Sequence, residues 1–175
     1  MPDNGWTTCR EERIPSDTEA GHNLVARLLG DLEQLGWEEH DIFGVHLAVE
    51  EALMNAIKHG NQKDASKFVE IVYRMSPEAF QIEITDEGDG FDPDDVPDPT
   101  EEENLEIPSG RGLMLMRSYM TLVQFNDVGN QVVMEKIRGL AVDDDDDFYA
   151  DDDDDDDDDD ANDDNDDAND DNDDN

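Results

Sequence analysis

Basic residues are the scarcest chemistry in this chain. Only 11 Lys and Arg stand against 52 Asp and Glu in 175 residues, a formal charge of −41. A nucleic-acid binder needs cationic side chains to displace counterions from phosphates, so that class is excluded. Docking on an anionic membrane surface is excluded for the same reason. No apolar run approaches the ~20 residues that span a bilayer, and the start, "MPDNGWTTCREER", has no apolar core of a signal peptide. The one cysteine, Cys9, cannot close an internal disulfide, and a reducing cytoplasm is the expected setting. Four scattered histidines with that cysteine do not make a zinc set. Also missing are the G-x4-G-K-[ST] phosphate loop and the H-R-D and D-F-G pairs of eukaryotic-type kinases.

The acid excess is unevenly spread. Residues 143–175 hold 23 aspartates and no basic residue, which leaves 29 acidic against 11 basic groups, a formal −18, in residues 1–142. The expected organisation is one domain over 1–142 followed by a disordered poly-acidic tail over 143–175, since such a composition cannot bury apolar area. The tail reads as a solubilising brush or as a weak contact for divalent cations or a partner. A body of about 140 residues can bury a substantial core.

Within the body, "TTCREERI" alternates like a strand. Ser16-Asp17-Thr18-Glu19 has the capping-box pattern, with Ser16 as the expected cap and Glu19 reaching back. Leu24, Val25, Leu28, Leu29, Leu32 and Leu35 follow at helical spacing and stop at Gly36. A second helix is predicted from Trp37–Asp41 to about His59, ended by Gly60. "KFVEIVYRM" and "AFQIEITDE", separated by Ser76-Pro77-Glu78, predict a hairpin. Residues 88–109 form a long Gly-, Pro- and Asp-rich loop of the kind that is either functional or disordered. "LMLMRSYM" resumes a helix, and "TLVQFND" with "NQVVMEKIR" closes a second hairpin around Gly129-Asn130. This order predicts an α+β two-layer sandwich, helices on one face of a mixed, mainly antiparallel sheet.

Three short motifs carry the chemistry. In "VHLAVEEALMNAIKHGN" (residues 45–61) Val45, Ala48, Val49, Ala52, Leu53 and Ala56 make one apolar arc. Glu51 and Asn55, four apart, share a border of that arc, and His59 extends the line; Glu50 lies about 100° away. Alone, a Glu–Asn pair at this spacing is more often a solvated helix edge. In "DEGDGF", Asp86 ends a strand and offers two fixed acceptor oxygens suited to an exocyclic amine, while Gly88 and Gly90 let the backbone pass close to a ligand. A simple glycine turn has the same sequence; a calcium loop fits worse, because Gly88 falls on a ligand position. In "SGRGLMLM", Gly110 and Gly112 open a helix, whose free N–H groups favour phosphate oxygens.

Taken in order, a Glu-x3-Asn-x3-His helix, a strand ending D-x-G-x-G, a long loop and a G-x-G helix start resemble the Bergerat ATP-binding fold. That fold is shared by histidine kinases, gyrase-type topoisomerases, heat-shock chaperone ATPases and mismatch-repair ATPases (the GHKL superfamily). The resemblance covers roughly Ile14 to Ile137. Within it, "VEEALMNAIKHGN" and the short format resemble the anti-sigma-factor serine/threonine kinases of the RsbW type. The resemblance implies ATP and Mg²⁺ as cofactors, with Asn55 as metal ligand, Glu51 as general base, and Asp86 reading adenine. It implies that Gly88 and Gly90 shape the base pocket and that Gly110 and Gly112 lie beside the phosphates under a lid loop. His59 is either near the phosphates or structural. Partners implied are a sigma factor, an anti-sigma-factor antagonist and a second copy of the chain. Two positions depart from the family pattern. Pro108 stands where some relatives carry an arginine, leaving Arg111 to supply a positive charge, and Asn130-Gln131 follow Gly129 where many carry Thr-Thr. The rival reading is a nucleotide-dependent protein-binding regulator without phosphotransfer. A histidine-kinase fragment would need an upstream phospho-acceptor helix pair, and only Met1–Ile14 precede the first predicted helix.

Overall fold

A computed structural model describes residues 5–92 and 111–140. All of them lie within one compact unit, Met1–Asp144. The expected tail, most of the long loop, and Pro108 and Gly110 fall outside the described residues.

The elements follow the predicted order: β1 (Thr8–Pro15), α1 (Thr18–Gln34), α2 (Glu39–Asn55) with a π-helical turn (Ala56–Gly60), β2 (Phe68–Met75), β3 (Ala79–Thr85), α3 (Arg111–Tyr119), β4 (Leu122–Phe125) and β5 (Gln131–Ile137). The strands form one sheet in the order β1-β2-β3-β5-β4. Every pairing is antiparallel. The sheet expected to be mixed and mainly antiparallel is therefore wholly antiparallel among the described residues. Both predicted hairpins are present, and α3 sits between them in the chain.

Register explains the layering. Met75, Phe80 and Lys136 share one row, Tyr73, Ile82 and Met134 the next, and Ile71, Ile84 and Val132 a third. All nine side chains are buried, because alternate residues of a strand point to one face. The opposite face is polar, with Arg74 donating to Gln81 and Gln81 to Glu135. Helices therefore cover one face only. Against it pack Leu24, Val25, Leu28 and Leu32 of α1 and Val45, Ala48, Val49, Ala52 and Leu53 of α2, the arcs predicted from periodicity. Lys136, buried on the inward face, reaches Asp41 at the start of α2 (3.6 Å), and both side chains are about 6% exposed. Asp41 also accepts the Gly139 N–H. Such a pair fixes how α2 sits on the sheet more than it adds to stability.

The start of α1 corrects the capping-box expectation. Asp17, not Ser16, is the cap, and its carboxylate accepts the Glu19 N–H. Ser16 is buried and turned inward: its hydroxyl donates to the Lys67 carbonyl and accepts from Asn61. The pattern S-D-T-E contains two good capping residues, and the tertiary partner on the β2 side takes the first of them. The end of α2 differs as well. Instead of stopping cleanly at Gly60, the helix widens into a π turn, marked by the Asn61 N–H bonding to the Ala56 carbonyl five residues back.

Candidate nucleotide site at the end of the second helix

The last two turns of α2 carry Glu51 and Asn55, both half-buried on the border of the apolar arc. Their neighbours Ala52, Leu53, Ala56 and Ile57 are buried, so the backbone beneath the two polar side chains is held by the core. The π turn changes the helical phase after Asn55, and His59 is exposed. Glu50, on its separate face, takes His46 (3.0 Å) and His22 of α1 (3.3 Å) as partners. Helical phase therefore separates the two glutamates as expected: Glu50 bridges α1 and α2, while Glu51 faces α3.

Two contacts bring the downstream motifs to this helix end. A side chain at Gly112, in the first turn of α3, would overlap the Glu51 carboxylate. A side chain at Gly60 would overlap the Asp86 carboxylate, and one at Gly88 would run into the Gly60 carbonyl. Glu51, Gly60, Asp86, Gly88 and Gly112 are thus gathered around the end of α2, although they span 62 positions of the chain. Arg111 opens α3 and is exposed.

Asp86 is held from several sides. Its Oδ1 accepts the Gly88 N–H at 2.8 Å. Its backbone N–H donates to the Asn130 carbonyl, and its carbonyl accepts from the Asn130 side chain (3.0 Å). Burial pushes its carboxyl above the usual range, against the opposing effects of the Gly88 N–H and the Lys67 charge. Gly90 and Gly129 have φ of +81° and +78°. A side chain at either would strike backbone of the other turn, the Val128 carbonyl or the Phe91 carbonyl. The D-x-G-x-G turn therefore lies backbone-to-backbone on the β4–β5 turn, with Phe91 edge-on to Phe125 (5.2 Å between centroids). At the Thr-Thr departure, Gln131 donates to Thr85 and to Glu83, so the two amides that replace the threonines brace the end of β3.

Asn61 is the positioning residue that periodicity missed. It is fully buried. Its amide donates to Ser16 and to the Phe68 carbonyl (2.8 Å each), and its oxygen accepts the Glu87 N–H (2.7 Å). One side chain thereby ties the π turn to the start of α1, to β2 and to the turn after Asp86. The clue in the sequence was its place directly after the helix-ending glycine. Asn61→Ala removes three hydrogen bonds and is expected to lower stability by about 3 kcal/mol, read as a shift in the denaturant midpoint. A midpoint unchanged from the parent would show that the turn is held without it.

Among the described residues no group of three or more His, Cys, Asp or Glu side chains stands ready to hold a metal, and no helix is long and apolar enough to cross a membrane. Two surface hollows, of about 330 and 510 Å³, lie elsewhere. One is lined by Arg10, Glu12, Arg27 and Tyr73, the other by Trp37, Ile42 and Phe43, and neither includes a predicted site residue.

Residues 14–136 match the histidine kinase-like ATPase domain. The chain is 30% identical over 143 residues to the serine-protein kinase RsbW of Bacillus subtilis, covering 76% of this chain and 88% of that protein. It is 28% identical to the RsbW of Staphylococcus aureus strain RF122 (72% and 84% covered), and 27% identical to that of Bacillus cereus strain Q1 (72% and 82%).

Proposed function

The chain belongs to the histidine kinase-like ATPase domain family, and on that premise we propose that it is an ATP- and Mg²⁺-dependent protein serine/threonine kinase. In this reading it transfers the γ-phosphoryl group to a serine of an antagonist protein and acts as an anti-sigma factor, working as a homodimer in a partner-switching pathway. The observation that carries the reading is the meeting of three separate motifs at the end of α2, Glu51 against Gly112 and Gly60 against Asp86.

The residues present fit a nucleotide with Mg²⁺. Gly60 and Gly88 let the backbone close on the Asp86 carboxylate, and Gly112 lets α3 close on Glu51, which sets those two carboxylates at one helix end. Asn55 offers a side-chain oxygen beside Glu51, and Mg²⁺ commonly takes only one or two protein ligands with the rest from phosphates and water. When bound, Mg²⁺ supplies the charge neutralisation that phosphoryl transfer requires. Asp86, with one oxygen engaged by the Gly88 N–H, turns the other to the exocyclic amine of adenine. The free N–H groups at the start of α3 favour the phosphate anions. Glu51 takes the proton of the attacking serine hydroxyl. The serine oxygen bonds to the γ-phosphorus as the bond to ADP breaks.

The test is direct. The full chain is incubated with γ-labelled ATP, Mg²⁺ and candidate antagonist proteins of the same genome, and acid-stable label on serine is expected. Nucleotide binding without transfer to any of them would favour the non-catalytic regulator.

Asp86→Asn probes the base-reading role. The asparagine oxygen can replace Oδ1 on the Gly88 N–H, which turns the amide NH2 toward the adenine amine, donor against donor. ATP affinity is expected to fall at least about tenfold, the loss of one charge-assisted bond. Stability moves the other way. The folded Asp86 carboxyl titrates above its ordinary value, so its stabilising contribution is full below the unfolded pKa and lost as pH rises through the folded one. At pH 7 the ionised group is a net cost, and Asp86→Asn is expected to raise Tm there, with the gain vanishing in acid. An unchanged ATP affinity would remove Asp86 from the base pocket.

A further inference from the structure

We infer that Gly112 is a positioning residue for Glu51: its missing side chain sets where the carboxylate rests, so the seat of α3 on α2 fixes the place of the base. The inference rests on the reading of Glu51 given above and goes beyond it, because Gly112 is here assigned to the base rather than to the phosphates.

Among the described residues no hydrogen bond or ion pair holds the Glu51 carboxylate. What does meet it is the first turn of α3, where a Cβ on Gly112 would overlap the carboxylate and come within 2.8 Å of the Glu51 Cγ. The other end of the helix pair has the reciprocal contact. There Gly44 of α2 lies under Tyr119 of α3, and a Cβ would stand 3.0 Å from the ring. Phe43 meets the same ring edge-on, with centroids 6.0 Å apart. Met116 and Met120, each 2% exposed, bury the far end of α3 in the core. One helix is thus anchored at its C-terminal end and presents a bare backbone to Glu51 at its N-terminal end. The glycine spacing lets the two helices close on each other, and the carboxylate lies in the gap.

The three nearest atoms to a methyl group at position 112 all belong to the flexible Glu51 side chain, so the fold survives and Glu51 swings aside. Displacing a catalytic group by about 1 Å can cost as much as 10²-fold in rate. Alanine also favours a helix over glycine. Gly112→Ala is therefore expected to lower kcat at least tenfold, keep KM for ATP within threefold, and not lower Tm. Glu51→Asp, which draws the carboxylate back by one methylene, is expected to reduce kcat at least threefold less in the Gly112→Ala background than in the parent.

A readout free of catalysis tests the contact itself. The Tm change on Gly112→Ala is expected to be more positive by 2 °C or more in a Glu51→Ala background, where nothing has to move. Equal Tm changes in both backgrounds overturn the inference. So does an unchanged kcat with a raised KM, which would return Gly112 to the nucleotide. If the parent protein transfers no phosphate, the kinase reading fails on its own and the Tm comparison alone decides the contact.

Discussion

Glu51→Gln is expected to lower phosphoryl transfer to the protein substrate by about 10²- to 10⁴-fold, the usual contribution of a positioned general base, while ATP affinity stays within a few-fold of the parent. Glutamine keeps the length and shape of the side chain, so the packing of Glu51 on Gly112 survives and only the proton-accepting charge is lost. The side chain is half-buried at the rim of the helical layer rather than in the core, so folding is spared. Single-turnover transfer at saturating ATP, with nucleotide binding measured by calorimetry, separates the two effects. Glu50→Gln is the control. It weakens the bridge to His22 and His46 but leaves the face of α2 that looks at α3, and transfer is expected to continue. A Glu51→Gln protein that transfers at the parent rate would end the assignment of the base.

Asn55→Ala is expected to weaken ATP binding by about 10- to 100-fold in the presence of Mg²⁺, the loss of one charge-assisted contact. In excess chelator the same substitution should change affinity little, because in the proposed site Asp86 and the glycine turns hold the other end of the nucleotide. The difference between the two conditions is the signature of a metal role. Asn55 is half-buried at the last position of α2, and an alanine there suits a helix at least as well. A loss of affinity equal with and without Mg²⁺ would instead make Asn55 a direct contact of the nucleotide or a support for the π turn. Transfer activity is expected to fall with the metal-dependent affinity and to recover partly at high Mg²⁺.

The two predictions concern neighbours on one helix, yet they fail differently: Glu51 in rate, Asn55 in metal-dependent affinity. That separation is what a phosphotransfer site requires and what a plain solvated helix edge would not produce. A nucleotide-dependent regulator without chemistry would show the Asn55 effect and lack the Glu51 effect. The pair of variants therefore also decides between the two functional classes.

Much of this was legible in the residues. Helical spacing in α1 and α2, alternation in the four later strands, and the Ser-Pro and Gly-Asn turns are local signals, and each element they predict is present. The phase argument that separated Glu51 from Glu50 needs only the 100° step of a helix. Four side-chain outcomes were not legible, for a common physical reason. Ser16 left its expected capping role because Lys67 and Asn61, 51 and 45 positions away, bind its hydroxyl. The helix ended in a π turn because Asn61 is drawn into a buried network with Phe68 and Glu87. His59 is exposed in that same turn. Asn130 became a clamp on Asp86 only through the pairing of β3 with β5.

By itself, then, the sequence determined the elements, their order, the single covered face of the sheet, the acid excess and the three motifs with their types of chemistry. These follow from composition and from periodicities of two and 3.6 residues. The tertiary structure alone decided which atoms of those motifs meet: the Asp86 carboxylate under Gly60, the crossing of the two positive-φ glycine turns, and Glu51 against Gly112. Those meetings depend on strand order and on how closely α3 approaches α2, and no local spacing encodes either. They arise where backbones close to within a missing side chain of each other, and glycine marks each of the places.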